Sequence, residues 1–302
     1  MAGLLKSNLA KAAGVLLIGI LFLDMMSVII RVLLDRYSVL ELSAYRNVIG
    51  VIPAFVMMWW MGEFKLDPRH LWIRQWKLAF SRGLMVTVAQ VCWYAALATS
   101  AFALVASLGY TMSLFVVLMS IPILGERVGI WRSIAVLLGF GGALLIVQPT
   151  AETFDLWSLL PLLAAAFYAL SIVTVRLIDR DVSSSLMYLY SGVSAAVANF
   201  VIVLATTGFA PIQSSQDMML IVGMGLVGGC GVICLLVSAR MAEPSLLAPF
   251  NYFGLISAFM MGWIFFGEAP LDRLFPGVLL IVAGGALVLW RESTRSSVGV
   301  EK

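Results

Sequence analysis

The sequence predicts an all-α membrane protein with ten transmembrane helices, arranged as two inverted five-helix repeats over residues 1–150 and 151–302. Three observations predict it. Hydrophobic residues make up 62% of the 302 and charged residues 12%, a balance suited to lipid and not to water. Apolar runs of roughly 18 to 23 residues recur, each long enough at about 1.5 Å per residue to cross about 30 Å of hydrocarbon. The second half also rewrites the first. Ala103-Leu104-Val105-Ala106-Ser107-Leu108-Gly109-Tyr110, Gly125-Glu126 and Gly141-Gly142-Ala143-Leu144 return in the same order as Ser245-Leu246-Leu247-Ala248-Pro249-Phe250-Asn251-Tyr252, Gly267-Glu268 and Gly284-Gly285-Ala286-Leu287. Upstream, Arg31 to Asp35 is echoed by Arg176 to Asp179, and Ser38 to Tyr45 by Ser183 to Tyr190. A unit with an odd number of spans, duplicated in tandem, inserts upside down relative to its copy.

The runs lie at residues 12–34, 40–61, 78–98, 102–122, 130–147, 156–178, 186–207, 218–240, 245–266 and 275–290. They are too long and too rich in Leu, Ala, Gly and Met for lipid-facing strands. The first follows Lys6 and Lys11, is interrupted by Asp24 and lacks a small-residue cleavage site, so it reads as a retained span. Between the second and third, Gly62 to Lys77 carries Trp72 and Trp76 among Lys65, Arg69, His70 and Arg74, as suits a helix lying on an anionic leaflet. Ala98 to Phe102 and Met241 to Ser245 barely allow a turn, which makes the third and fourth spans, and the eighth and ninth, antiparallel neighbours. In the fifth and tenth spans Gly139, Gly141, Gly142, Gly277, Gly284 and Gly285 allow close helix approach. The eighth carries Gly223, Gly225, Gly228, Gly229 and Gly231, a density that serves packing or bending.

Orientation follows from the cations. Lys6, Lys11, the basic loop, Arg127, Arg132, Arg180, Arg291, Arg295 and Lys302 fall on one side, against little beyond Arg36 and Arg273 on the other. Both termini are therefore expected in the cytoplasm. The net charge of +3 is topological and argues against a nucleic-acid partner. Cys230 and Cys234, at i and i+4 without neighbouring His or clustered acids, read as packing residues, and no metal or cofactor is expected.

Charges deep in the bilayer are expensive and persist where a cavity or partner compensates them. Asp24 lies about 18 Å along the first span, near the midplane, with Arg31 on nearly the same face about 10 Å further out. Glu41 sits near the outer end of the second span with Tyr45 a turn below, while Arg46 is rotated away from it. These four either serve a substrate or satisfy one another as interhelical pairs. An uncharged set lies at comparable depth: Gln90, Trp93 and Tyr94 on the third span, Ser107, Tyr110 and Thr111 on the fourth, Tyr168 and Ser171 on the sixth, Asn251 and Tyr252 on the ninth. Such rings with polar tips either pack the bundle or stack a planar or methylated group and hydrogen-bond its edge. Tyr110 and Tyr252 occupy equivalent places in the repeats. Glu126 and Glu268, each after Gly at a span end, read as caps or gates. There is no Gly-x-Ser-x-Gly elbow, His-Glu-x-x-His, P-loop or acid pair with a His, so a protease or ATP-driven pump lacks its parts.

Two five-span halves, Gly-Glu at the ends of the fourth and ninth spans, Glu-x4-Arg at Glu41 and Arg46, and Ala-Pro-Phe-x-Tyr at Ala248 to Tyr252 resemble the ten-span EamA-type exporters of the drug/metabolite transporter superfamily. Asp24 and Ala-Pro-Phe-x-Tyr are most similar to the S-adenosylmethionine, riboflavin and acylcarnitine carrier branches. The resemblance implies a basket with a central cavity between two four-helix sets, the fifth and tenth spans lying outside it. In one departure, Arg31 stands where some relatives show Lys. The expected function is secondary transport of a small zwitterionic or aromatic metabolite across a bacterial inner membrane by alternating access. A coupling proton or an exchanged metabolite remains open as a partner. A lipid-modifying membrane enzyme and a membrane scaffold are the rival classes; the first lacks a reactive cluster at an interface, and the second has no need of Asp24.

Overall fold

The computed structural model describes residues 2–60, 72–100, 102–109, 111–126, 128–147, 157, 159–179, 181–267 and part of 277–290. Among these every regular element is helical. The helices are α1 (Ala2–Leu33), α2 (Val39–Gly50), α3 (Ile52–Trp60), α4 (Trp76–Thr99), α5 (Phe102–Gly109), α6 (Met112–Leu124), α7 (Ile130–Val147), α8 (Leu159–Val173) with a 3-10 turn at Thr174–Leu177, α9 (Ser184–Thr206), α10 (Ser215–Met241), α11 (Pro244–Asn251) and α12 (Phe253–Phe266). Six helical segments of the described chain are long and apolar enough to cross a membrane, and Met112–Leu124 and Ile130–Gly142 form shorter apolar helices. Of the expected surface helix over 62–77, residues 62–71, with His70, lie outside the described residues, as does the loop over 148–156; residues 72–75 are not helical, and Trp76 begins α4.

Several repeated motifs turn out to be helix punctuation. Ser38 caps α2 and Ser183 caps α9, each hydroxyl accepting from the backbone N–H three residues on. At α2 the box is completed by Glu41, whose carboxylate accepts the Ser38 N–H at 2.9 Å. Gly125 ends α6 and Gly267 ends α12 in the left-handed conformation, φ 65° and 66°, which a side chain would resist. The apolar run 40–61 breaks at Val51, where Pro53 supplies no N–H to the turn behind it. The runs 102–122 and 245–266 are also interrupted in mid-course, between α5 and α6 and between α11 and α12.

The helices pack in a closed order: α1 along α10, then α2, α9, α4, α8, α6, and α11 with α12 returning to α1, so that α8 stands between α4 and α6, and α1 between α10 and α11–α12, pairs that the short connections had made neighbours. Helix α7 stands outside this ring against α5, α6 and α11. Polarity is distributed inside out. Arg46, Asn47, Arg82, Gln90 and Asn251 are buried, whereas Trp59, Leu118, Met219, Ile264 and Phe265 are exposed, as a lipid-solvated bundle requires. Helix α4 carries Arg82, Thr87 and Gln90 for the same reason, all three facing inward. Four glycines of α10, Gly225, Gly228, Gly229 and Gly231, act in packing, whereas Gly223 faces open space: a Cβ on Gly229 would lie 2.4 Å from the Gly50 carbonyl, and one on Gly228 2.3 Å from the Met26 sulfur. The helix itself runs unbroken.

The two ends of the ring differ. Where the C-terminus of α1 lies, a single apolar cluster crosses the ring, joining Ile30, Leu42, Leu97, Phe102, Met224 and Ala258. At the opposite end the apolar residues divide. One group, around Met58, Ala79, Met187 and Leu236, belongs to α3, α4, α9 and α10; the others join α1, α6, α7, α8, α11 and α12.

Candidate functional site

Inside the ring is a cavity of about 180 Å³. Every ring helix except α12 contributes to it: Asp24 from α1, Arg46 and Asn47 from α2, Arg82, Gln90 and Trp93 from α4, Ala106 and Met112 from α5 and α6, Tyr168 and Ser171 from α8, Tyr188 and Ser191 from α9, Val232 and Leu235 from α10, and Asn251 from α11. A recess of about 20 Å³ shares Met112, Ile172, Leu235 and Asn251 with it and extends toward Leu16 and Pro244, at the divided end.

The cavity wall is organised by amides. Gln90 Oε1 accepts from Asn47 Nδ2 at 2.6 Å and from the Ser43 hydroxyl at 3.2 Å, and Gln90 Nε2 donates to Asn47 Oδ1 at 3.2 Å. Arg46 Nη1 donates to the same Asn47 oxygen at 2.8 Å, and Nη2 reaches the Gly228 carbonyl at 3.4 Å. This ties α2 to α4 and α10 and sets the depth of the Arg46 guanidinium. Asp24 accepts from the Ser257 hydroxyl of α12. Helix α1 stands across the ring from α4, so a carboxylate confronts an amide, an indole and an arginine.

Of the residues singled out in the sequence, Asp24, Arg46, Gln90, Trp93, Tyr168 and Asn251 meet at this cavity. Others lie behind its wall. Arg31 Nη1 reaches the Ser100 carbonyl at 3.4 Å and its guanidinium sits 4.9 Å from the Phe266 ring, itself 5.9 Å from Phe102, so it fastens the closed end. Glu41, besides its cap, accepts the Ala210 N–H at 2.5 Å and pins the loop before α10. It does not pair with Arg46. Tyr94 is fully buried in the cluster at the closed end, although the spacing from Gln90 put it on the cavity face. Tyr252 is buried against α7, its ring 2.3 Å from where a Cβ on Gly139 would stand. Tyr110 and Glu268 lie outside the described residues.

The family is legible in comparison. A model described as "EamA-like transporter family" matches residues 10–148 and again 155–290. The chain belongs to the EamA-like transporter family. A riboflavin transporter of Vibrio cholerae is 31% identical over 173 residues, an alignment spanning 57% of this chain and 57% of that one. A pseudopaline exporter of Pseudomonas aeruginosa is 27% identical across 82% of this chain and 85% of its own length, and an S-adenosylmethionine uptake transporter of Rickettsia bellii 22% identical across 72% and 73%. A crystal structure superposes with a TM-score of 0.74 at 17% identity, covering 92% of this chain and 96% of the other, which shows a shared fold. This EamA-like protein is thus a multi-pass membrane transporter and not an enzyme.

Among the cavity residues of the EamA-like chain that escaped the sequence reading are Asn47, Arg82 and Tyr188. Arg82, Val86, Gln90 and Trp93 follow at four, four and three residues, a single stripe of α4. That spacing was the available signal.

Proposed function

We propose that this protein is a secondary transporter of the bacterial inner membrane, moving a small zwitterionic or aromatic metabolite by alternating access. In this reading ten spans form two inverted five-helix repeats, residues 1–150 and 151–302, with both termini cytoplasmic. The observation that carries it is the ring around the cavity. Exchanging each helix for its repeat counterpart, α1 with α8, α2 with α9, α4 with α10, and α5–α6 with α11–α12, returns the same neighbour order. The interruptions at α5–α6 and α11–α12 are exchanged too, and broken helices at a central site suit carriers of this kind. Asp24 takes a cationic group or a proton, the Asn47–Gln90 pair and Asn251 hydrogen-bond the substrate edge, and Trp93 and Tyr168 cover its flat face. Arg31, Glu41, Tyr94 and Tyr252 hold the wall from behind, and Tyr110 is assigned with Tyr252 by repeat. The end fastened by Arg31 is the outer one, so the arrangement is closed outward.

The test is a thermal-shift screen of the purified protein against amino acids, S-adenosylmethionine, riboflavin, carnitines, nucleobases and polyamines, followed by uptake of the stabilising compound into proteoliposomes. Protein-dependent accumulation, accelerated by preloaded unlabelled compound, is expected. Uptake no faster than in protein-free vesicles for every compound would refute the reading.

A further inference from the structure

Arg82 is the cavity group that transport of a neutral aromatic does not explain. It is 2% exposed, it lines the cavity from α4, and it donates through Nε to the Ser171 carbonyl at 3.0 Å. Among the described residues its buried Nη1 has no hydrogen-bond partner. Arg46 is 3% exposed and donates to neutral oxygens, so among the described residues neither guanidinium has a carboxylate within ion-pair distance. Arginine keeps its proton in proteins, so the charge cannot be shed. A buried cation with spare donors and no counter-ion is heavily penalised unless an anion arrives to meet it.

The backbone holds Arg82 where it is. At Gly83 helices α4 and α9 approach so closely that a Cβ would stand 1.7 Å from the Ser194 hydroxyl oxygen and 2.2 Å from the Ser191 carbonyl. Arg240 is near enough to act on Arg82 electrostatically, and its own guanidinium donates to the Asp179 carbonyl at 3.3 Å. Arg82 and Arg240 thus place two cations on one side of the ring, while Asp24 supplies a carboxylate from the opposite side.

We infer that Arg82 is the anchor for an anionic group of the substrate, a carboxylate or a phosphate monoester, received by the free Nη1 edge of the guanidinium. The inference rests on the transporter reading and narrows it: the substrate bears an anion, and is zwitterionic when a cationic group also reaches Asp24.

The test compares wild type with Arg82→Gln and Arg82→Lys, purified whole and assayed by thermal unfolding and ligand titration. The probes are short and aromatic carboxylic acids, each paired with its primary amide, together with phosphate monoesters paired with the parent alcohols. The empty Arg82→Gln protein should unfold no earlier than wild type, because an uncompensated charge has been removed. Acids or monoesters should bind wild type in preference to their neutral partners, about tenfold weaker or worse in Arg82→Gln, and partly restored in Arg82→Lys. If Arg82→Gln unfolds earlier but binds the acids as wild type does, Arg82 is a strut between α4 and α8 and the inference falls. If wild type binds and accumulates only neutral or cationic probes, the anion site is refuted while transport stands. If wild-type proteoliposomes accumulate no compound, transport fails and the anchor with it.

Discussion

At the scale of single residues, two aspartates within the bundle, Asp217 buried and Asp24 half-buried, have different work. Asp217 has no exposed surface; it meets Arg36 at 2.5 Å and accepts the Tyr37 hydroxyl at 3.0 Å, while Tyr37 also accepts the Gln213 N–H at 2.9 Å. It fastens a loop to the end of a helix. Asp24 borders a cavity and has a hydroxyl beside it. Asp24→Asn should therefore fold with near-normal thermal stability and lose substrate affinity about tenfold or more, since a charge-assisted contact is replaced by a neutral one. Asp217→Asn should do the reverse, lowering stability by about 1–3 kcal/mol with affinity unchanged. Unfolding and titration of both variants check this, and normal transport by a well-folded Asp24→Asn protein would end the role given to Asp24.

At the scale of elements, the helices of this bundle are positioned by missing side chains as much as by large ones. Gly83 seats α4 on α9, and Gly228 and Gly229 seat α10 on α1 and α2. Gly83→Ala meets a backbone carbonyl and a hydroxyl that itself donates to Phe80 at 2.8 Å, so relief requires the helices to part. The expected result is a loss of about 1–3 kcal/mol, accompanied by weaker binding of anionic probes because Arg82 moves with the backbone. Gly141→Ala, with nothing within 4 Å, should be neutral in the same assays. Much of this was legible in sequence. Ser38 with Glu41 announces a cap, and glycine after α6 and α12 announces an end. The roles of the α10 glycines were not, because density of glycine reads equally as flexibility or as contact until the neighbouring helix is known.

At the scale of the whole molecule, the proposed topology places the basic segment at Trp72 on the cytoplasmic side and the loop at Gln213 outside. With Cys92, Cys230 and Cys234 replaced by serine, a Gln213→Cys protein should react with a membrane-impermeant maleimide in intact cells, and Trp72→Cys only after permeabilisation. Reaction of both in intact cells would overturn the orientation. The asymmetry between the closed end, crossed by one apolar cluster, and the divided end predicts that the cavity is reached from the Trp72 side in this conformation.

The sequence by itself determined that this chain lives in a membrane, that it is helical and that its halves are related, because hydrophobic run length, helix-ending residues and repetition are properties of the chain taken in order. It also led to the expectation of Asp24 near the midplane, with Gln90, Trp93, Tyr94, Tyr110, Tyr168, Asn251 and Tyr252 at comparable depth. Only the tertiary structure decided which faces turn inward. Tyr94, one residue from Trp93, went into the closed end, and Tyr252, next to Asn251, went against α7, since about 100° of helix rotation separates neighbours and the direction of the cavity is set by helices distant in the chain. Arg82 was hidden for the same reason: among the described residues its buried Nη1 meets no hydrogen-bond partner, a fact that exists only in three dimensions.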